Sequence, residues 1–181
     1  MTRVLGAVLA GGASQRFGSD KALAMHDGRA LIDHAIARLG EIADAVVVSG
    51  GSRPGYASVP DAPAPGLGPL GGLCGAMTYA AVHGLDAVLT IPCDTPDLPV
   101  EALRRLKRSA RAAYLAALPV AGYWPITLHA DLIDQLSGDD RSMRGWARRC
   151  GAFGIATASI VNINRPSDLT ALAKRPDTAD R

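Results

Sequence analysis

A chain of 181 residues with 48% hydrophobic content is long enough to bury one substantial core and too apolar to be globally disordered. Its 19 Lys and Arg against 17 Asp and Glu leave a formal charge of +2, too little for the cationic face of a nucleic-acid binder, so any preference for phosphate has to be local. Cys74, Cys93 and Cys150 are odd in number and form no CxxC pair, which argues against a disulfide framework or a cysteine zinc site and fits a reducing cytoplasm.

The first apolar run, Leu5 to Leu9, is too short to span a bilayer and soon gives way to glycine and charge; it reads as a buried strand, not a signal peptide. Leu31, Ile32, Ala35, Ile36 and Leu39 then recur at one-face helical spacing, with Asp33 and Arg38 able to face water and Gly40 as the stop. Ala45 to Ser49 is a second strand. Leu70 to Val82 reads as a helix with Leu73, Met77 and Ala80 inward, and Asp86 to Ile91 as the next strand. Pro99 suits the first turn of a helix running through Glu101 to Arg108, with Glu101 and Arg105 four apart on its surface. Further strands are expected at Tyr114 to Val120 and Ser159 to Ile163. Ser167 caps a last helix with Asp168 in its first turn, and residues 175–181 read as a disordered tail. Alternating strands and helices, with no repeat and no linker, predict a single α/β domain over residues 1–174 with a mostly parallel sheet.

Chemistry concentrates at the ends of these strands. After Ala10 the chain turns through Gly11 and Gly12, whose amides can approach an anion without a side chain in the way. Arg16 and Lys21 add a planar fork and a mobile point charge within the same loop, so the stretch predicts a polyphosphate site. No GxxxxGK[ST] string is present, which disfavours a P-loop, and a plain glycine turn with two solvated cations is the alternative. A literal GxGxxG at Gly66 to Gly71 is a decoy: the proline-rich segment before it cannot be the required strand.

Asp94 follows the strand that ends at Ile91, where open α/β sheets gather ligands, and it either holds a hard divalent ion or caps a turn. Asn162 and Asn164, two apart on an expected strand, project to one face or simply mark a strand end. Arg141, Arg144, Arg148 and Arg149 surround Trp146 as either an acceptor-binding patch or the wet face of a helix. His26, His34, His83 and His129 are scattered, with no HExxH-like pair.

LAGG-x-S-x-R-F-G-x-D-K at Leu9 to Lys21, HDGRALIDHAIARL at 26–39, VVVSGG at 46–51, GPLGGL at 68–73, PCDTPDLP at 92–99 and VNINRPSDL at 161–169 closely resemble, in order, the motifs of nucleotidyltransferases that activate small molecules with a nucleoside triphosphate. Within that group the chain looks most like the molybdenum cofactor guanylyltransferases. The resemblance implies a Rossmann-like three-layer nucleotidyltransferase fold and transfer of GMP from GTP to the phosphate of Mo-molybdopterin. It implies Arg16, Lys21 and Asp94 in catalysis, with Mg²⁺ on Asp94 and Mn²⁺ as a substitute. For the nucleotide it implies Leu9, Ala10, Gly11, Gly12, Lys21, Ser49, Asp61, Gly68, Pro69, Leu70 and Asp94, with Asp61 reading guanine. For the acceptor it implies Arg141, Asn162 and Asn164. A monomer in the cytoplasm is implied, with transient contact to molybdoenzymes or cofactor-delivery proteins and no nucleic-acid or membrane partner. One departure falls on the acceptor side: Trp124 stands before Pro125 where histidine is usual. CTP or another phosphorylated acceptor, or a nucleotide-binding module without turnover, are the alternative readings.

Overall fold

The run Val4–Leu9 is apolar on both faces and folds as β1, a strand buried at every residue. In this computed structural model, which describes residues 2–11, 21–157, 160–165 and 167–169, β1 is an interior strand of a seven-stranded sheet, paired on both sides. A small hairpin of β2 (Met25–His26) and β3 (Arg29–Ala30) leads into helix α1 (Leu31–Gly40). Strands β4 (Ala45–Ser49) and β5 (Ala57–Val59), helix α2 (Gly68–Val82), strand β6 (Ala87–Pro92) and helix α3 (Val100–Arg108) follow. The C-terminal half adds β7 (Ala113–Leu115), β8 (Leu118–Pro125), α4 (His129–Leu136), α5 (Met143–Arg149) and β9 (Phe153–Ile155).

The sheet order is β5-β4-β1-β6-β8-β7-β9. Strands β5, β4, β1 and β6 are mutually parallel; β8 alone runs against its neighbours, and β9 is again parallel to β7. The expected mostly parallel α/β sheet is therefore present. Helices cover both faces. Ile32, Ala35 and Leu39 of α1 and Leu103 and Leu106 of α3 fill one core layer with Val4, Val8 and Leu89; Leu73 and Met77 of α2, Leu132 of α4 and Trp146 of α5 fill the other with Leu5, Ala7 and Val88.

Several expectations change in detail. The run Tyr114 to Val120 is not one strand: it takes in the end of β7, a turn at Ala116 and Ala117, and the start of β8. Residues 160–163 form no strand: Ile163 is buried while Asn162 and Asn164 are exposed, and the Ile163 N–H donates to the Asp94 carbonyl at 2.9 Å, not to a ladder. Helix α2 starts two residues earlier than expected. Pro99 is the cap ahead of α3 and not a helical residue, and Glu101 pairs with Arg104 and Arg108, not Arg105, which reaches the Ala156 carbonyl. Asp33 and Arg38 are half-buried; Asp33 takes a bidentate contact from Arg53, and Arg38 donates to the Pro96 carbonyl at 2.7 Å. The tail at 175–181 lies outside the described residues. No described helix is long and apolar enough to cross a membrane.

Candidate functional site

Four parallel strands deliver the site from one edge of the sheet, at their carboxyl ends. Strand β1 ends at Leu9 and continues to Gly11, β4 ends at Ser49, β5 ends two residues before Asp61, and β6 ends two residues before Asp94. Crevices of this kind are where open α/β sheets bind ligands. Here Leu9, Gly11, Ser49, Asp61, Gly66, Gly68, Pro69 and Gly72 line a cavity of about 340 Å³.

Its floor is backbone. The Ala10 N–H donates to the Ser49 carbonyl at 2.8 Å, and Gly50, at φ +73°, packs so closely on Gly11 that a Cβ there would meet the Gly11 Cα at 2.3 Å. Only glycine satisfies both the left-handed backbone and the contact. The Ser49 hydroxyl is buried and has no hydrogen-bond partner among the described residues, the kind of orphan that a ligand completes. Asp61 is half-buried, and its Oδ2 accepts the Gly66 N–H at 3.2 Å. The strand-to-helix segment carrying Asp61 docks directly on α2: the Ala62 N–H donates to the Gly71 carbonyl at 3.1 Å, and a Cβ on Gly75 would lie 2.0 Å from the Pro60 oxygen.

Beyond β6 the charged centre assembles from distant parts of the chain. Lys21, in a short 3-10 turn, donates from Nζ to Asp94 Oδ2 at 2.8 Å and to Asn164 Oδ1 at 3.3 Å. The Lys21 and Asp94 side chains are only 16% and 21% exposed, so the pair is shielded enough to be geometrically defined. Asp94 Oδ1 is buried and has no partner among the described residues. A buried carboxylate oxygen left open just past the end of β6 fits Mg²⁺, which binds through one or two carboxylates and takes its other ligands from phosphates and water. Among the described residues, no group of three or more His, Cys, Asp or Glu side chains gathers, so an all-protein cage of such ligands is not formed there.

The structure thus brings Leu9, Ala10, Gly11, Lys21, Ser49, Asp61, Gly68, Pro69 and Asp94 to one edge of the sheet. Gly12 and Arg16 lie outside the described residues. Leu70, beside Gly68 and Pro69 at the start of α2, is fully buried in the core layer that α2 shares with the sheet. Gly66 and Gly72 line the cavity without having been singled out; Gly72 follows Gly68 by four residues, which places it on the same face of α2. Asn164 turns its amide oxygen to Lys21, while Asn162 is exposed beside it.

The arginine stretch forms the wet face of a helix: Arg144, Arg148 and Arg149 are exposed on α5 while Trp146 is fully buried, Arg148 pairs with Asp140, Arg149 with Asp134, and Arg141, just ahead of the helix, donates to the Gly138 carbonyl at 3.3 Å. Asp140 also accepts from the Ser142 N–H and hydroxyl, and these bonds, more than Arg148, hold its carboxyl below the usual carboxylate range. Trp124 likewise points inward: it is fully buried and donates from Nε1 to Thr90 Oγ1 at 3.0 Å. The departure from histidine is a packing choice in the core.

Comparison with known proteins agrees with this geometry. The sequence profile of the MobA-like NTP transferase domain matches residues 6–152. A molybdenum cofactor guanylyltransferase of Rhizobium leguminosarum bv. trifolii is 34% identical over 189 residues, spanning 93% of this chain and 90% of that protein. One from Cereibacter sphaeroides is 31% identical over 181 residues, spanning 92% and 94%. Among solved structures, the molybdopterin-guanine dinucleotide biosynthesis protein A of Archaeoglobus fulgidus superposes with a TM-score of 0.72 at 19% identity, over 92% of this chain and 95% of that one, a likeness of fold. A shared fold, a profile over most of the chain and full-length relatives above 30% identity place the chain in the MobA-like NTP transferase family.

Proposed function

We propose that the chain transfers GMP from GTP to the phosphate of Mo-molybdopterin, giving Mo-molybdopterin guanine dinucleotide and pyrophosphate. The observation that carries this reading is the Lys21–Asp94 pair, with its open carboxylate oxygen, set beside a glycine-floored cleft that also holds Asp61 and the orphaned Ser49 hydroxyl.

The acceptor phosphate is already ionised at neutral pH, so no strong general base is needed. Its oxygen forms a bond to the α-phosphorus of GTP, and the bond from that phosphorus to the β-phosphate bridging oxygen breaks, the electron pair leaving with pyrophosphate. The demand on the protein is to align two anions and to neutralise the charge that develops. Lys21 supplies a fixed ammonium for that charge, with Arg16 as a second cation. Asp94 would hold Mg²⁺, or Mn²⁺ in its place, which adds neutralisation of the phosphates and leaving group. Gly11, Gly12, Gly68 and Pro69 contribute backbone against the nucleotide, and Leu9 and Ala10 pack its walls. Asp61 accepts from the N1 and N2 donors of guanine, a pair that adenine and cytosine do not offer. Asn162 and Arg141 are the acceptor-side candidates. The protein acts as a monomer in the cytoplasm, where Cys74, Cys93 and Cys150, none in a disulfide, belong.

The test is turnover with equal GTP, CTP and ATP, Mg²⁺ and loaded molybdopterin, the dinucleotide identified by mass. A guanine product that falls roughly a hundredfold in Asp94→Ala, a loss on the order of 3 kcal/mol, supports the reading. A cytosine product overturns the role of Asp61, and GTP binding with no product from any nucleotide leaves a binding module.

A further inference from the structure

The segment that carries Asn164 is pinned on both sides. Before it, the fully buried Ile163 donates its N–H to the Asp94 carbonyl at 2.9 Å. After it, one oxygen of Asp168, Oδ2, accepts the N–H of Asn164 at 2.7 Å and that of Arg165 at 2.8 Å. These two amide bonds hold the Asp168 carboxyl below the usual carboxylate range, with smaller contributions from the Arg165 and Lys21 charges. Two donors on one oxygen fix the backbone at 164–165, and so the root of the Asn164 side chain, whose oxygen accepts a hydrogen bond from the Lys21 ammonium. An ammonium on a flexible four-carbon stem has three donors; with one on Asp94 and one on Asn164, the direction of the third is set.

We propose that Asp168 is a positioning residue for Lys21: by gathering the amides of Asn164 and Arg165 it holds the Asn164 carbonyl oxygen where it aims the lysine toward the cleft. The inference rests on Lys21 being catalytic. Asp168 itself touches neither Lys21 nor Asp94 by any hydrogen bond described; it acts through the loop, linking residues 143 positions apart in the chain.

The test uses the full chain and two readouts, steady-state pyrophosphate release and the rate at which Lys21 is acylated by an activated acetate ester, followed by peptide mass. Asp168→Ala is expected to lower kcat about tenfold with the KM for GTP within about twofold, since a misaimed group costs rate more than binding. It should also make Lys21 several-fold more reactive. Asp168→Asn, whose amide oxygen can still accept both N–H groups, should restore most of the rate, and Asn164→Ala, which leaves the backbone staples intact, should reproduce the loss. In a Lys21→Ala background the Asp168→Ala loss should disappear. The proposal is overturned if Asp168→Ala leaves both readouts unchanged, or if its loss persists undiminished without Lys21. Should Asp168→Ala fail to fold, unchanged Lys21 acylation in Asn164→Ala overturns it. Full turnover by Lys21→Ala sinks the catalytic reading and the inference with it, whereas an inactive Lys21→Ala beside a normal Asp168→Ala sinks the inference alone.

Discussion

Gly75→Ala sets two effects of opposite sign against each other in the middle of α2. On helix propensity alone, alanine at an interior position gains about 1 kcal/mol over glycine. The new Cβ, however, would lie 2.0 Å from the Pro60 oxygen and 3.1 Å from the Pro60 carbonyl carbon, where ordinary contacts begin at 3.4 Å. The segment through Pro60 and Asp61 must therefore retreat by about 1.4 Å, and the obstacle is backbone, which has no rotamer to yield. Overpacking of this kind costs about 1–3 kcal/mol, and the loss of the Ala62 N–H to Gly71 carbonyl bond adds about 1 kcal/mol. The net is a destabilisation of about 1–3 kcal/mol, or a fall in Tm of roughly 2–12 °C by thermal melting. Because Asp61 moves with the segment, the KM for GTP should rise by roughly tenfold, about 1.4 kcal/mol, and the preference for guanine over other bases should narrow. A rise in Tm with an unchanged KM would mean that the loop does not rest on Gly75 and that Asp61 is placed by something else.

Two further outcomes are expected. His129 contacts Thr78 Oγ1 at 3.1 Å through Nε2, and burial pushes its pKa down. The folded state therefore prefers the neutral ring: this part of the stability is complete above the unfolded value near 6.5 and is lost as pH falls through it toward the lower folded value. Urea midpoints should fall more steeply between pH 7 and pH 5 in the wild type than in His129→Gln, and equal slopes would refute this. Thr90 is fully buried, donates to the Val120 carbonyl at 2.7 Å and accepts from Trp124 Nε1. Thr90→Val keeps the shape but strands both partners, so unfolding should show a loss of about 1–3 kcal/mol; no loss would mean that water reaches the indole.

The helical parts of this architecture that are legible from letters alone are those with a long, one-sided pattern. All five residues placed on the inner face of α1 are buried, because a 3.6-residue repeat over ten positions admits no other packing against a sheet. The β7–β8 reversal is not legible, since its turn residues Ala116 and Ala117 carry none of the usual glycine, asparagine or proline signals, and the β-prone letters run straight through. Strand β9 has three residues with Gly154 in the middle and exists through its partner β7. Around the candidate site, Lys21 and Asp94 stand in recognisable strings, but the contact from Lys21 to Asn164 spans 143 positions and no local pattern announces it. The burial of Trp124 was hidden for the same reason: Pro125 beside it marks the end of β8, while the Thr90 hydroxyl that receives the indole comes from the neighbouring strand.

The interior position of β1 also bears on how the protein is made. Strand β1 leaves the ribosome well ahead of both its partners: one neighbour starts at Ala45 and the other is complete only at Pro92. At about 5–20 residues per second, roughly 4–16 s pass before translation supplies that second neighbour. Through that interval the nascent chain carries an apolar strand with an open edge, the form most prone to pairing with another chain. Parallel partners so distant in sequence also close slowly once available. The arrangement that lets four strand ends converge on one cleft in the finished protein therefore makes the newborn chain dependent on shielding, and a bound chaperone or a slowed codon stretch before Pro92 would change yield without touching the folded state.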